Sequence, residues 1–263
     1  MTLETVPTTP RELRSLIREG TWRGTTAGLA PNHVQANLVV LPRAQAFDFL
    51  LFCQRNPRPC PLLEVLEPGV AEPSIALGAD IRTDIPRYRI YRDGVLDREA
   101  EGITDVWQDD LVTFLLGCSF TFESALMAAG IRLRHVDEGS NVSMYVTNVA
   151  TERAGMFSGP LVVSMRPIPQ TRVVKAVQVT SRFPNAHGAP VHIGEPGAIG
   201  VEDLEKTDYG DVTAVLKDEV PVFWACGVTP QAVAAASKPP LMITHAPGHM
   251  FITDLKDKDL AVL

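Results

Sequence analysis

The sequence predicts an α/β protein. Hydrophobic residues make up 45% and charged residues 21% of the 263 residues, enough apolar material for one large domain or two modest ones. Near the C-terminus, strand-like residues at Val220–Cys226 and Leu241–Thr244 flank a helical pattern at Gln231–Ser237. The connections between these three segments are short, which favours a βαβ unit with a parallel strand pair.

Capping and turn residues define the elements before that unit. The run TPRE at residues 9–12 is a capping box, so a first helix begins there and ends before Gly20. A strand is expected at Val34–Val40, and a second helix from Pro42 to Asn56.

The central third mixes strand and helix patterns. Ile81–Tyr91 alternates apolar and polar residues, and the turn pair Asp93-Gly94 predicts a hairpin after it. Two helices are expected at Trp107–Leu116 and Phe122–Ala129, each closed by a glycine. Three further strands are predicted, at Val142–Thr147, Leu161–Met165 and Val173–Thr180.

Charge and composition limit the kinds of partner that the protein can have. The net charge of −7 argues against a nucleic-acid partner held by its phosphates, and no apolar run approaches the ~20 residues that span a bilayer. The N-terminus lacks the pattern of a secretory signal, so we expect a cytoplasmic protein without a membrane partner. Eighteen Arg against six Lys suits a small anionic metabolite, although a GC-rich genome gives the same bias. The four cysteines have no CxxC spacing and are expected to be free thiols. Assembly into a homo-oligomer is compatible with the sequence.

Residues 180–204 form the segment richest in candidate functional groups. It contains Arg182, His187, His192 and Glu195 among three prolines and four glycines, so it is expected to be a loop. Loops that carry several ionisable groups commonly serve binding or catalysis. An ordinary surface connection is the alternative.

We expect the strand ends to bring these groups together. If the strands ending at Thr180, Cys226 and Thr244 are parallel neighbours, their carboxyl ends share one edge of a sheet. Arg182, His187, His192, Cys226 and His245 would then meet at that edge.

The junction before the predicted helix at Phe122 is a second candidate. Cys118 and Ser119 lie at the positive end of that helix, which lowers a thiol pKa and favours an anion. The alternative is plain capping by Ser119 or Thr121, with Cys118 as a small buried hydrophobic residue.

Several blocks of the sequence are similar to one family. These blocks are WRGTTAGLAPNHVQANLVVLP, FCQRNPRPCPLLE, WQDDLVTFLLGCSFTFE, HVDEGSNVSMY, TSRFPNAHGAPVHIGEP and PLMITHAPGHMFITDL. Together they resemble the bacterial hydro-lyases of the D-glutamate cyclase-like family, over about Arg11 to Leu255. The resemblance implies a three-layer mixed-sheet domain, residues 1–104 and 173–263, with a smaller α/β sandwich domain inserted at 105–172.

The resemblance also implies a reaction class, the loss of water from a small carboxylate substrate such as a D-glutamate-like amino or hydroxy acid. Ring closure of glutamate to 5-oxoproline fits that class. Mitochondrial relatives of that name carry an additional C-terminal domain, so the class carries over and the substrate does not.

Eliminating water needs a base and an acid, and histidine suits either near neutral pH. His187 and His192, with Glu195, are therefore the candidate catalytic residues. Arg182 and Arg58 are candidates to bind a substrate carboxylate. Ser119 is a candidate to stabilise an oxyanion. Cys118, Cys226 and His245 complete the candidate substrate-binding set, while His33 and His135 are expected to be structural.

Two other functions stay open. His187, His192, His245, His249 and Glu195 would make an adequate zinc or iron ligand set, but their spacing matches no known metal motif, so no metal and no cofactor is expected. The glycines of GEPGAIG have the wrong spacing for a dinucleotide turn. A non-catalytic protein that binds or senses a small carboxylate would use the same arginines and serine without a paired acid and base.

Overall fold

The computed structural model describes residues 9–262. Two sheets and six α-helices form an α/β structure, which confirms the predicted class. The larger sheet contains β1 (His33–Pro42), β2 (Leu62–Leu66), β3 (Tyr88–Arg92), β4 (Val95–Ala100), β5 (Leu111–Gly117), β10 (Leu241–His245) and β11 (Phe251–Lys256). Its order is β2-β5-β1-β10-β3-β4, and β11 also pairs with β1.

The smaller sheet has four strands in the order β6-β7-β9-β8. They are β6 (Ser143–Ala150), β7 (Pro160–Pro169), β8 (His192–Ile193) and β9 (Glu219–Ala225). All pairings between the named strands of both sheets are antiparallel.

The helices are α1 (Pro10–Arg18), α2 (Arg43–Arg55), α3 (Phe120–Ala128), α4 (Arg134–Glu138), α5 (Val173–Thr180) and α6 (Thr229–Ser237). Thr9, the first residue of the predicted capping box, is the N-cap residue of α1, and its hydroxyl accepts a hydrogen bond from the backbone N–H of Glu12 at 3.4 Å. No helix among residues 9–262 has the length and apolar character needed to span a bilayer.

Three sequence predictions of secondary structure are wrong or too long. The segment Trp107–Leu116 is not a helix, because its second half is β5, whose seven residues are all buried between β1 and β2. A strand covered on both faces shows a continuous apolar run, so alternation cannot identify it. Ile81–Tyr91 is extended only from Tyr88, after a run of turns.

The predicted strand Val173–Thr180 is helix α5. Its buried residues Ala176 and Thr180 lie one turn apart: Ala176 packs into a cluster that includes Leu126 of α3, and the Thr180 hydroxyl accepts a hydrogen bond from Trp224 Nε1 at 3.1 Å. Tertiary packing of this helical stripe outweighs the strand preference of its β-branched valines.

The predicted parallel pair at the C-terminus is also wrong. Both strands and the helix between them exist, but β9 belongs to the smaller sheet and β10 to the larger one. The smaller sheet therefore draws its strands from residues 143–225, while β5, at residues 111–117, belongs to the larger sheet.

Candidate functional site

The chain passes from one sheet to the other at two neighbouring points. After β5 of the larger sheet, α3 packs Phe122 and Leu126 against Trp224 of the smaller sheet. After β9 of the smaller sheet, α6 packs Val233 in the same cluster as Phe114 of the larger sheet. The N-termini of α3 and α6 therefore both lie at the junction between the sheets.

A cavity of about 20 Å³ lies at this junction, enough room for about one water molecule. Residues from the starts of both helices line it. The rest of the lining includes residues that follow the short 3₁₀ helix Pro184–Ala186 and residues that follow β10. Five residues proposed from the sequence are among them: Cys118, Ser119, His187, Cys226 and His245. The structure thus brings His187, Cys226 and His245 together as expected, although the parallel edge from which we inferred their proximity does not exist, and it adds Cys118 and Ser119 of the helix junction to the same cavity.

His187 is held with one ring nitrogen facing a backbone carbonyl. Its Nδ1 lies 2.6 Å from the carbonyl oxygen of Arg58, and because a carbonyl can only accept, Nδ1 carries the proton. Nε2 then retains its lone pair. The backbone of His187 has φ of 75°, a left-handed conformation that is uncommon for a residue other than glycine. Burial lowers the pKa of His187 to about 4, and the positive charge of Arg166 acts in the same direction.

His245 has the opposite proton arrangement. Its Nδ1 lies 3.1 Å from the backbone nitrogen of Leu38 and 3.4 Å from the carbonyl oxygen of the same residue. The shorter contact is with the N–H donor, so we assign Nδ1 as the acceptor and place the proton of the neutral ring on Nε2. Nε2 is buried and has no hydrogen-bond partner among the described residues. Burial lowers the pKa of His245 to about 4. At neutral pH the cavity is therefore lined by two uncharged imidazoles, one with a free lone pair and one with a free N–H.

The two cysteines are thiols rather than thiolates. Burial raises the pKa of Cys118 to about 12 and that of Cys226 to about 11, despite their places at helix N-termini. This favours the interpretation of Cys118 as a small buried residue over its interpretation as an activated thiol. Ser119 is the N-cap residue of α3 by position, but its side chain makes no capping hydrogen bond.

Ser119 instead accepts a hydrogen bond from a buried arginine. Arg166, in the middle of β7, donates from Nη2 to the Ser119 hydroxyl at 2.9 Å and from Nη1 to Ser164 at 3.1 Å. The same guanidinium pairs with the carboxylate of Glu123, which also lies 3.0 Å from Nε2 of His135. The rings of Phe122 and Trp224 face the guanidinium.

This charged cluster is fully enclosed. Arg166, Glu123 and His135 are at most 4% exposed. Burial alone would raise the pKa of Glu123, but His135 and Arg166 outweigh it and lower that pKa to about 2. The carboxylate is therefore ionised and paired. Through Arg166, the cluster holds the Ser119 hydroxyl in position next to the cavity.

Two asparagines missed by the sequence analysis complete the cavity wall. Asn37 of β1 donates from Nδ2 to the carbonyl of Gly117 at 2.6 Å, and the Oδ1 of Asn141 is buried without a partner among the described residues. A Cβ atom at Gly227 would lie 2.0 Å from Asn37, so only glycine allows this approach. A polar residue inside an apolar strand run, as at Asn37 and Arg166, was the signal that could have identified them.

Four other predicted site residues do not line this cavity. His192 lies on β8 and donates from Nε2 to the carbonyl of Glu195 at 2.6 Å, while the Glu195 carboxylate accepts from Gly197. Arg58 contributes its carbonyl to His187, but its exposed side chain lines a different cleft. Arg182 is exposed at the end of α5 and lines a third cleft.

The remaining histidines are tied to local structure. His33 Nδ1 faces the carbonyl of Pro31 at 3.1 Å, and His135 belongs to the buried cluster with Glu123. Both are hydrogen-bonded, as expected for structural residues. His249 Nδ1 lies 3.0 Å from the carbonyl of Pro247.

We expect the purified protein to contain no stoichiometric transition metal. The predicted ligand spacings are irregular, and within residues 9–262 no three His, Cys, Asp or Glu side chains are grouped so as to hold a metal ion. Elemental analysis of protein purified without chelators measures this directly. About one zinc or iron per chain would contradict the expectation and favour a metal-dependent lyase or hydrolase.

Comparison with known proteins places the chain among related sequences. A family model described as D-glutamate cyclase matches residues 112–254. A protein of Bacillus subtilis is 61% identical over 255 residues, covering 97% of this chain and 99% of the relative. A protein of Stutzerimonas stutzeri is 61% identical over 255 residues (97% and 96%), and one of Thermoanaerobacter sp. is 64% identical over 253 residues (96% of each). Each of the three is named a "Putative hydro-lyase".

Among solved structures, a nitrogen repressor-like protein from Methanococcus jannaschii aligns with 93% of this chain and 98% of its own. The TM-score is 0.39 and the sequence identity 11%, values too low to support a conclusion about fold or function.

Proposed function

This chain belongs to the D-glutamate cyclase family, and from that premise we propose that it eliminates water from a small carboxylate substrate, a D-glutamate-like amino or hydroxy acid, at the cavity between its two sheets. The observation that carries the proposal is the pair of neutral histidines. His187 offers a lone pair and His245 an N–H to the same small space. A base and a hydrogen-bond donor are the two groups that a dehydration requires.

The surroundings of the cavity favour an anionic substrate. Helices α3 and α6 both begin there, with Ser119 and Val228 as their N-cap residues, and helix N-termini attract negative charge. Arg166 adds a buried positive charge one side chain away, behind Ser119. Its charge is balanced by Glu123, so its main contribution is to fix the position of the Ser119 hydroxyl.

For D-glutamate the proposed chemistry is ring closure. After one ammonium proton has moved to the γ-carboxylate, the amino nitrogen forms a bond to the γ-carboxyl carbon. His187 Nε2 takes the second nitrogen proton and gives it to the departing hydroxyl, which leaves as water. His245 Nε2–H donates to the oxygen on which negative charge develops. The monoanionic amino acid becomes monoanionic 5-oxoproline and water, without net proton uptake.

The low pKa of His187 suits this sequence. The ring is neutral before the reaction, and its imidazolium is a strong enough acid to release the proton to a leaving hydroxyl. His245 keeps its proton throughout, as a neutral donor.

The cavity is too small for a whole amino acid, so binding has to widen it. Met144 and Met250 line it, and the unbranched methionine side chain repacks readily. We propose that these two side chains move to admit the substrate.

The function is tested by incubating the protein with D-glutamate and a panel of amino and hydroxy diacids, followed by mass spectrometry. We expect a product lighter by one water from at least one compound. Binding of a diacid without any product would instead favour a non-catalytic carboxylate-binding or sensing protein.

Two substitutions of His245 separate its two nitrogens. Asn places an oxygen near the position of Nδ1 and can still accept from Leu38 N–H, but it offers nothing at Nε2; Gln places an N–H near Nε2 and leaves Leu38 without its partner. We expect His245→Asn to lower kcat by about 10²–10³-fold with little change in Tm. His245→Gln should keep more activity and lose about 1–3 kcal/mol of stability. Equal activity of the two variants would contradict the assigned role of Nε2.

A further inference from the structure

The cleft that Arg182 lines has a volume of about 780 Å³ and runs along helix α3. Its volume is in the range of small-molecule sites. Most of its wall is apolar, formed by Ala125 and Ala128 of α3, Val179 of α5, and Phe183. None of the five cavity residues lines it.

Two buried polar groups in this cleft lack partners. Thr121 is 1% exposed, and its hydroxyl has no hydrogen-bond partner among the described residues. Asp257 is 9% exposed, and its Oδ1 is likewise without a described partner. A buried carboxylate oxygen or hydroxyl without a partner is destabilising, so such groups commonly mark the place of a ligand or an ordered water.

A positive charge lines the same cleft. Arg182, at the end of α5, lines the cleft and forms no ion pair with any residue between 9 and 262. Its backbone carbonyl accepts from Val262 N–H at 2.7 Å, which fixes the C-terminal segment carrying Asp257 beside it. An arginine, an aspartate and several apolar residues therefore line one cleft.

We propose that this cleft binds the zwitterion of an apolar α-amino acid. Its carboxylate pairs with Arg182, its ammonium group is accepted by Asp257 and the Thr121 hydroxyl, and its side chain packs against the alanines of α3 and Phe183. Each of the three parts of such a ligand meets a group of matching chemistry. The site is separate from the dehydration cavity.

The state of Asp257 makes this binding depend on pH. Burial raises the pKa of Asp257 to about 7, while Ser124 and Lys256 oppose that rise. Three cationic side chains line the cleft besides Asp257: Lys256 and Lys258, its neighbours in the chain, and Arg182. The polar groups that α3 contributes are the hydroxyls of Thr121 and Ser124. An ammonium group binds the ionised carboxylate, so binding weakens as Asp257 takes up a proton.

The test uses calorimetry of the full-length protein with leucine, methionine and phenylalanine, in both enantiomers. 4-Methylpentanoate, which lacks the ammonium group of leucine, and 3-methylbutylamine, which lacks its carboxylate, are the matched probes. We expect at least one amino acid to bind, and each leucine analogue to bind at least about tenfold more weakly than leucine. The affinity of the amino acid should be about tenfold lower at pH 6 than at pH 8.

Two variants and two controls decide the outcome. Asp257→Asn should abolish both the binding and its pH dependence, and Arg182→Met should weaken binding roughly tenfold. Arg11→Met, at an exposed arginine of α1, is the control for loss of a positive charge, and His187→Asn should leave binding intact because it does not line this cleft. No binding of any amino acid at millimolar concentration, or unchanged binding to Asp257→Asn, would overturn the proposal.

Discussion

Replacing His187 by asparagine is expected to lower turnover by about 10²–10⁴-fold, the range for loss of a general base. Asparagine tolerates the left-handed backbone at this position, where φ is 75°. Its side-chain amide can still donate to the carbonyl of Arg58, as Nδ1 does now. The variant therefore removes the lone pair of Nε2 and little else. The measurement is the rate of product formation at saturating substrate.

His33→Asn is the matched control, because His33 lies outside the cavity and contacts Pro31 and Lys256. Its turnover should equal that of the wild type. His192→Asn tests the assignment made from the sequence alone. Loss of activity in His192→Asn with full activity in His187→Asn would place the chemistry at β8 and refute the cavity.

His187→Asn also changes how the stability of the protein depends on pH. Burial lowers the pKa of His187 from its ordinary value of 6.5 to about 4 in the folded protein, so below pH 6.5 the unfolded chain takes up a proton that the folded protein does not. Stability is therefore lost as the pH falls through this window. At pH 5 the loss from one such histidine is about 2 kcal/mol. The free energy of unfolding of His187→Asn should accordingly fall less than that of the wild type between pH 8 and 5.

Replacing Arg166 by methionine is expected to destabilise the protein by about 3–5 kcal/mol, because it leaves the carboxylate of Glu123 buried and without its guanidinium. In a chain of this size that loss lowers Tm on the order of 10 °C. Ser119 and Ser164 lose their donors at the same time. Thermal and denaturant unfolding both measure the effect.

A second substitution distinguishes an unpaired charge from lost packing. Arg166→Met combined with Glu123→Gln removes both charges, so part of the lost stability should return. Arg98→Met is the control on the surface, where the pair with Asp105 is exposed and worth less than about 1 kcal/mol. If Arg166→Met were as mild as Arg98→Met, the buried cluster would not be a stabilising element.

Local signals in the sequence were enough to place several elements. The Thr9 N-cap, the Asp93-Gly94 turn between β3 and β4, and α6, which contains the predicted helix Gln231–Ser237, all lie where predicted. Each of these depends on backbone chemistry within a few residues, such as a hydroxyl that accepts from a nearby N–H. Information of that kind is complete in the sequence.

Only the tertiary structure decided which sheet each strand joins. β9 and β10 are adjacent in the chain, yet α6 carries the chain from the smaller sheet to the larger one. Strand periodicity reports burial of a face but not the identity of the neighbouring strand. The same limit explains β5 and α5, whose apolar patterns fit two kinds of element until their packing partners are known.

The candidate site shows both contributions. Five of its residues could be proposed from the sequence, because each lies next to the end of a helix or strand. These residues, Cys118, Ser119, His187, Cys226 and His245, all line one cavity in the structure. The proton positions could not be proposed in this way, because they are set by the Arg58 carbonyl and the Leu38 N–H, which are 129 and 207 residues away in the chain. Which nitrogen of a histidine is free depends on the partner of the other nitrogen, and only the folded chain supplies that partner.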